Sequence, residues 1–219
     1  YMAEDQQMYG WMTVDQLIKW VGGFYRNWDN NFVGELLGVL RLDKTIKVKT
    51  LSKGQNSSLA LLLALGHHPD LVILDDPTLG LDPIARKDFL RHVIDLLQSQ
   101  GVTVFFSSHL LYEIEPVADH IAILDGGVVC KIGKTDELRD TVRKFVFTPG
   151  PASDLAKLSD VLDAVHAGDQ MAVTVEHCDD AKRNQIKGMS QNGVTETALN
   201  LDEIFEAFVI GNKGTMVSV

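Results

Sequence analysis

Four short segments carry side chains that could act on a phosphate group, and they occur in one order along the chain. They are LSKGQ at residues 51–55, the pair Asp75-Asp76, LGLD at residues 79–82, and His109. A carboxylate at a strand end can hold Mg²⁺, the N-terminus of a helix attracts phosphate, and an imidazole can donate a hydrogen bond to it. Each segment by itself also has an ordinary explanation as a solvated strand end, a turn, a cap or a surface histidine.

Alternating strands and helices are predicted to position these segments. Leu71–Leu74 is a continuous apolar run of strand length closed by Asp75-Asp76-Pro77, which is typical of a parallel strand covered on both faces. A second buried strand is predicted at residues 102–106, just before Ser107-Ser108-His109. Apolar spacing predicts helices at residues 13–25, 32–42, 55–65, 84–100 and 110–118, and further strands at residues 121–124 and 128–132. This alternation favours an α/β fold with a mainly parallel sheet.

From about residue 141 the pattern changes to a small α+β appendage, with Pro149-Gly150-Pro151 as a joint. Strands are predicted at residues 144–148 and 171–177, and helices at residues 152–165, 181–191 and 201–210. Leu201, Ile204, Phe205 and Phe208 would form one apolar face of the last helix. We expect that face to pack on its own domain, with a second copy as the alternative.

The composition limits the class of protein. With 219 residues, 45% of them hydrophobic and 23% charged, the chain can bury a sizeable core, which argues against a disordered chain. A formal net charge of −10 argues against broad binding to nucleic acid or to an anionic membrane surface. Cys130 and Cys178 lie far apart, without metal-ligand spacing. No apolar run approaches the roughly 20 residues of a membrane-spanning helix, and we expect a cytoplasmic location.

In order, spacing and intervening elements, the four segments resemble the ATP-binding cassette (ABC) ATPases, the nucleotide-binding subunits of ABC transporters. In that family an LSGGQ signature precedes the strand with the Walker B carboxylates, followed by a D-loop and a switch histidine. The resemblance covers about residues 1–133, and residues 198–205 resemble, less specifically, the tail of ABC-2-type export ATPases. It implies a P-loop NTPase-like, mainly parallel sheet in a partial ATPase domain at residues 1–140, before a C-terminal accessory region at residues 141–219. Within that domain, the helical subdomain would occupy about residues 10–65 and the Walker B, D-loop and H-loop core about residues 66–133.

The resemblance also implies a role for each candidate site residue. Asp75 would hold Mg²⁺, Asp76 would orient or deprotonate the attacking water, and His109 would contact the γ-phosphate of ATP. The other residues that it implies bind nucleotide are Ser52, Lys53, Gly54, Gln55, Asp82 and Glu4. The start of a helix offers unpaired N–H groups to a phosphate. The resemblance implies that the signature residues act on ATP held by the opposite subunit.

Three of these positions depart from the family pattern. Lys53 replaces a glycine, Glu4 replaces a glutamine, and Asp76 replaces a glutamate. Aspartate reaches one methylene less far, and a displacement of about 1 Å can cost on the order of 10²-fold in rate. The sequence also contains no G-x-x-x-x-G-K-[S/T] phosphate loop and begins at Tyr1. We therefore expect an N-terminally truncated subunit that has little activity by itself, with a natural stand-alone remnant as the alternative.

The leading hypothesis from the sequence is an ATPase subunit that works as a homodimer. ATP and Mg²⁺ would close the dimer, and hydrolysis would reopen it and drive a separate membrane permease at the cytoplasmic face, with no nucleic acid partner. One alternative is a catalytically silent regulatory or interaction subunit, which Asp76 and the missing phosphate loop favour. Another is a non-transport cassette protein, although the tandem cassettes or long coiled coils of that class do not occur here.

The resemblance places the end of a strand and the family's Q-loop within residues 1–14, beside Tyr9 and Trp11. Tyr9 and Trp11 could belong to the core, or could receive a coupling helix from a membrane subunit. Trp20 lies on an amphipathic helix, and we expect it to be a core residue.

Overall fold

The computed structural model describes residues 1–4, 6–151 and 153–211, which form two compact units, Tyr1–Leu110 and Leu111–Val219. The first unit contains mostly helices and a parallel strand pair, and the second is rich in antiparallel strands. The domain boundary predicted between residues 140 and 141 falls inside the second unit. That domain assignment stays a prediction.

Four helices build the first unit: α1 (Val14–Gly22), α2 (Asn30–Val39), α3 (Lys53–Leu65) and α4 (Pro83–Gln100). Thr13 begins α1 and Ser52 begins α3, each through a capping box with the glutamine three residues later. Asp29 begins α2 by accepting hydrogen bonds from the next turn. The four predicted helices are confirmed with shifted ends: α2, α3 and α4 begin one or two residues before their predicted starts, and α1 ends at Gly22.

The sheet of the first unit consists of β1 (Leu71–Leu74) and β2 (Thr103–Phe106), joined by α4. The two strands pair in parallel, with Leu71 opposite Thr103 and Leu74 opposite Phe106. Met2 adds a parallel bridge to Leu74. These pairings confirm the predicted α/β arrangement of this part of the chain and bring the carboxyl ends of β1 and β2 together.

Only one face of β1 is covered within the first unit. Val72 and Leu74 are buried among apolar residues of α3 and α4, whereas Leu71 and Ile73 are 50% and 37% exposed. Phe105 of β2 is also exposed. The prediction that β1 is covered on both faces is therefore wrong for this unit. The helices of the unit pack into one core, which covers the face of Val72 and Leu74 and leaves the face of Leu71 and Ile73 exposed.

The second unit begins with α5 (Leu111–Ile114) and a hairpin of β3 (His120–Asp125) and β4 (Val128–Lys134), followed by α6 (Thr135–Thr141). The remaining elements are β5 (Arg143–Pro149), β6 (Val161–Ala167), β7 (Gln170–Val175), α7 (Asp180–Met189), β8 (Ser190–Ala198) and α8 (Leu201–Val209). The last four strands form an antiparallel sheet in the order β6-β7-β5-β8. The parallel pairing of the described residues is thus confined to the first unit.

In the appendage, one predicted helix is wrong and one strand was missed. Of the helix predicted at residues 152–165, residue 152 lies outside the described residues, and the rest forms a short 3-10 turn (Leu155–Lys157) and then β6. The apolar residues there satisfy a helical spacing, but Gly168 at φ +63° closes a two-residue turn that pairs β6 with β7. Strand β8 was not predicted, because the polar sequence SQNGVTETA has no clear alternation.

Helix α8 packs within its own unit. Leu201, Ile204 and Phe208 are buried together with Ile123 of β3 and Leu138 of α6, and Phe205 packs against the same cluster. The predicted apolar face is confirmed, as is its docking on its own domain. Among the described residues, no helix is long and apolar enough to cross a membrane.

Candidate functional site

The start of α3 carries the LSKGQ segment. The hydroxyl of Ser52 accepts a hydrogen bond from the Gln55 amide (3.2 Å), and the Gln55 side chain accepts one from the Ser52 amide (3.0 Å). Asn56 donates its amide to the Ser52 carbonyl (2.9 Å). The amides of Lys53 and Gly54 occupy the first-turn positions that have no acceptor within an α-helix. The local sequence therefore builds a helix N-terminus with two donors available to an anion.

The LGLD segment at residues 79–82 lies against this helix start. A Cβ atom on Gly80 would come within 2.8 Å of the Lys53 ammonium, and one on Gly54 would lie 3.6 Å from Leu81. Gly80 has φ +74°, a conformation that glycine adopts without a steric penalty. Two of the predicted segments, widely separated in sequence, are therefore neighbours in the fold.

Asp75 follows β1 and is fixed by three hydrogen bonds. Its amide donates to the Met2 carbonyl (2.9 Å), Oδ1 accepts from the Ser107 hydroxyl (2.8 Å), and Oδ2 accepts from the Tyr1 hydroxyl (3.1 Å). The hydrogen bond to Asp75 raises the pKa of the Tyr1 phenol, with the nearby negative charge acting in the same direction. Both donors that the described residues give this carboxylate are neutral hydroxyl groups, so it can still bind a hydrated cation.

Asp76 has a left-handed backbone, with φ +37°. Its amide donates to the Ser107 hydroxyl (2.9 Å), and its Oδ2 lies 2.5 Å from Nδ1 of His109. Oδ1 of Asp76 is buried and has no hydrogen-bond partner among the described residues. A buried carboxylate oxygen without a donor requires a partner that the protein does not provide, and a water molecule or a hydrated Mg²⁺ has the required chemistry.

The structure thus unites some of the predicted site residues and leaves others apart. Asp75, Asp76 and His109 share one hydrogen-bonded network, although the last two are 33 positions apart in the sequence. Asp82 is exposed before α4, where its Oδ1 accepts from the Ile84 amide (3.0 Å). Glu4 is exposed in the N-terminal segment.

Ser107 belongs to this network and was missed by the sequence analysis. It is the residue that joins Asp75 to Asp76, through one bond to a carboxylate and one from an amide. The signal available in the sequence was the serine pair between a strand and His109, which we interpreted only as part of the histidine segment.

Exposed aromatic residues form a second feature of the first unit. Tyr9 packs edge-on against Trp20 at 4.9 Å between ring centroids, Trp20 packs edge-on against Phe24 at 4.9 Å, and Trp11 lies 6.4 Å from Tyr9. All four side chains are exposed. The prediction that Trp20 is a core residue is wrong, since it is 43% exposed, whereas the buried residues of α1 are Val14, Leu17 and Ile18.

The chain is similar to one family model and to several known proteins. Residues 37–115 match the family described as "AAA domain, putative AbiEii toxin, Type IV TA system". The ABC transporter ATP-binding protein YtrB of Bacillus subtilis is 26% identical over 214 residues, which cover 97% of this chain and 73% of YtrB. The bacitracin transport ATP-binding protein BcrA of Bacillus licheniformis is 37% identical over 118 residues, which cover 53% of this chain and 39% of BcrA.

A solved structure of an ATP-binding subunit of an ABC transporter agrees with the sequence comparison. It superposes with a TM-score of 0.55 at 26% identity and covers 64% of this chain and 60% of the solved one. The chain therefore spans only part of the proteins that it matches. It is a homologue of ABC transporter ATP-binding proteins, with an α/β fold of the P-loop NTPase type.

Proposed function

We propose that this chain forms part of the ATP-hydrolysing subunit of an ABC transporter. The observation that carries the proposal is the network in which Asp75, Asp76 and His109 meet at the ends of β1 and β2. Two carboxylates and an imidazole at one sheet edge are the groups that phosphoryl transfer to water needs beside a phosphate-binding loop. The homology to ATP-binding proteins supports the same assignment.

In this proposal Asp75 holds Mg²⁺, the cofactor of the reaction. Magnesium usually keeps several of its waters, so a carboxylate such as that of Asp75 can act through one of them. Mg²⁺, when bound, neutralises negative charge on the phosphates. The hydroxyl of Ser107 restrains Oδ1 of Asp75, so the carboxylate plane is already oriented before any ion binds.

Asp76 orients or deprotonates the attacking water, and His109 contacts the γ-phosphate. Oδ1 of Asp76 is the buried oxygen without a partner, so it is the atom that we assign to the water. Oδ2 contacts His109, which fixes the carboxylate between the histidine and the water position. General base catalysis of this kind contributes typically 10²–10⁴-fold, on the order of the loss expected when Asp76 is changed.

The start of α3 acts on a nucleotide held by a second subunit, which makes a homodimer the working form. The free amides of Lys53 and Gly54 and the positive end of the helix dipole face an anion. Ser52 and Gln55 shape this helix start by capping one another, and the Lys53 ammonium adds positive charge. Asp82 would reach toward the second subunit. Glu4 would contact a water of a bound magnesium ion or couple the site to a neighbouring group.

A membrane permease is the second proposed partner, and it places the subunit at the cytoplasmic face of the membrane. The relatives YtrB and BcrA are ATP-binding proteins of transport systems. The exposed aromatic cluster of Tyr9, Trp11, Trp20 and Phe24 is the surface that we assign to this contact. Apolar aromatic side chains exposed together are typical of protein interfaces, and the net charge of −10 argues against nucleic acid as a partner.

The test compares the 219-residue chain with the product of the whole gene that encodes it. The chain alone has no glycine-rich lysine loop to enclose the β- and γ-phosphates. We therefore expect negligible ATP hydrolysis and weak binding of Mg-ATP in isothermal titration. The whole gene product should bind and hydrolyse ATP. Micromolar binding by the chain alone, or no hydrolysis by the whole product, would contradict the proposal.

A catalytically silent subunit is the alternative function, favoured by the short side chain of Asp76 and its close contact with His109. The variant Asp76→Glu separates the two functions. If the whole gene product binds ATP without hydrolysing it, and Asp76→Glu creates hydrolysis, the silent role is correct. If the unchanged protein hydrolyses ATP, its role as the ATP-hydrolysing subunit is correct.

A further inference from the structure

We infer that Ser107 is a positioning residue that fixes both acidic side chains of the proposed ATPase centre through one hydroxyl group. This inference rests on the proposed function, and it concerns a residue that the comparisons leave without a role. Two distances from the Ser107 hydroxyl oxygen support this inference. Oγ of Ser107 lies 2.8 Å from Oδ1 of Asp75 and 2.9 Å from the amide nitrogen of Asp76.

The directions of these bonds follow from their chemistry. A serine hydroxyl has one proton to donate and lone pairs that accept. The amide of Asp76 can only donate, so Ser107 accepts there, and its own proton goes to the carboxylate of Asp75. The Ser107 hydroxyl therefore donates one hydrogen bond to Asp75 and accepts one from Asp76. The position of one acidic residue depends on the position of the other through this single oxygen.

Ser107 can hold Asp75 and Asp76 in place because its own backbone is fixed. Its amide donates to the Leu74 carbonyl (3.0 Å), which continues the parallel ladder of β1 and β2 by one hydrogen bond. The hydroxyl therefore projects from the last rung of the sheet, and it reaches the two residues that immediately follow β1. A serine in a loop without this backbone bond would have no fixed point from which to hold them.

Asp76 is the residue that most needs such support. Its φ of +37° lies in a region that residues with a side chain seldom occupy, and it persists only where the surroundings impose it. The segment after β2 holds Asp76 at two points, since Ser107 accepts from its amide and His109 contacts its carboxylate. Without the Ser107 bond, the backbone of Asp76 can relax and move Oδ1 away from the attacking water.

The test combines hydrogen exchange on the chain with kinetics of the whole gene product. In Ser107→Ala, the amide of Asp76 should exchange faster, while Ser107→Thr, which keeps the hydroxyl, should restore slow exchange. In kinetics, Ser107→Ala should lower kcat by about tenfold to a hundredfold, in line with the cost of roughly 1 Å of misplacement. The KM for ATP should not change, the Mg²⁺ concentration for half-maximal rate should rise, and Ser107→Thr should recover the rate.

Ser108→Ala is the matched control. The Ser108 hydroxyl lies next to Ser107 and accepts from the Leu110 amide (3.0 Å); within the described part of the chain it bonds to Leu110 and to neither acidic residue. Its variant should keep both the slow exchange of Asp76 and the rate. An equal loss of rate in Ser107→Ala and Ser108→Ala would overturn the inference, since it would reflect a general disturbance of the loop.

The remaining outcomes separate this inference from the proposed function. If the unchanged gene product hydrolyses ATP and Ser107→Ala hydrolyses it equally fast, the positioning role is overturned and the function stands. If the Asp76 amide exchanges at the same rate in Ser107→Ala as in the unchanged chain, the Ser107 hydroxyl does not hold that amide and the inference is overturned. If the unchanged product does not hydrolyse ATP, the proposed function fails, and the catalytic role of Ser107 fails with it.

Discussion

Nδ1 of His109 lies 2.5 Å from Oδ2 of Asp76, although the two residues are 33 positions apart in the sequence. Parallel pairing of β1 with β2 produces this contact, because both residues follow the carboxyl ends of neighbouring strands. The histidine is half exposed, whereas only 15% of the Asp76 side chain is exposed. The pair therefore joins a half-buried carboxylate to a group that a ligand can reach from solvent.

Asp76→Asn tests the buried member of this pair in the whole gene product. An amide can occupy the same space but cannot accept a proton, so we expect turnover to fall by about 10²–10⁴-fold with nucleotide binding retained. Asp169→Asn, at an exposed hairpin turn, is the control and should hydrolyse ATP normally. Steady-state hydrolysis and titration with Mg-ATP measure the two effects. Unchanged hydrolysis in Asp76→Asn would move the catalytic role to another residue.

His109→Ala tests the exposed member. Because His109 lies after the end of β2 and outside the apolar run, its loss should impair hydrolysis far more than folding. The removal of one donor to the developing charge typically costs about 10²–10³-fold in kcat. Circular dichroism should remain that of the unchanged protein. His120→Ala, which removes an exposed histidine at the start of β3, should leave the rate unaltered. Equal rates in the two variants would exclude a catalytic role for His109.

Gly80→Ala tests the contact between the LGLD segment and the start of α3. The new methyl group would meet the Lys53 ammonium at 2.8 Å, in a backbone conformation with φ +74°. We expect a loss of about 1–2 kcal/mol in the free energy of unfolding from the backbone conformation. Adding Lys53→Ala should remove the steric contact, and the loss in the free energy of unfolding that comes from the backbone conformation should stay the same.

Gly34→Ala in α2 is the matched control for that experiment. Nothing lies within 4 Å of the position that its Cβ would take. Alanine at an unhindered position within a helix should therefore raise the free energy of unfolding by about 0.5–1 kcal/mol. Urea unfolding measures both glycine variants. A stabilising effect of Gly80→Ala would show that the segment does not adopt this conformation in solution.

The two cysteines should differ in reactivity toward a thiol reagent at neutral pH. Burial raises the pKa of the Cys178 thiol, so less of the reactive thiolate is present, and the side chain is only 6% exposed. Cys130 is exposed on β4. We expect one fast-reacting thiol in the folded chain and two in denaturant, as counted by absorbance. The variant Cys130→Ser should lose the fast phase and Cys178→Ser should keep it; the reverse would place Cys178 at the surface.

Local patterns were reliable where the decisive contacts lie within a few residues. The predicted start of the first helix at residue 13 is correct, because the capping box of Thr13 closes within three residues. The same patterns failed where a second segment decides. Strand β6 has helical spacing but becomes a strand because β7 pairs with it, and β8 is a strand because it pairs with β5. Likewise, the exposure of Trp20 depends on which side of α1 the core occupies.

The amino-acid sequence by itself determined the order of the phosphate-site segments, the caps that start α1 and α3, and the strand after which Asp75 and Asp76 stand. These features depend on residue types and on contacts between neighbours in the chain. The tertiary structure alone decided that Asp76 adopts a left-handed backbone, that it meets His109, and that Ser107 joins it to Asp75. Those contacts exist only once β1 and β2 pair in one register, because hydrogen bonds between distant segments depend on the geometry of the sheet, which no local pattern encodes.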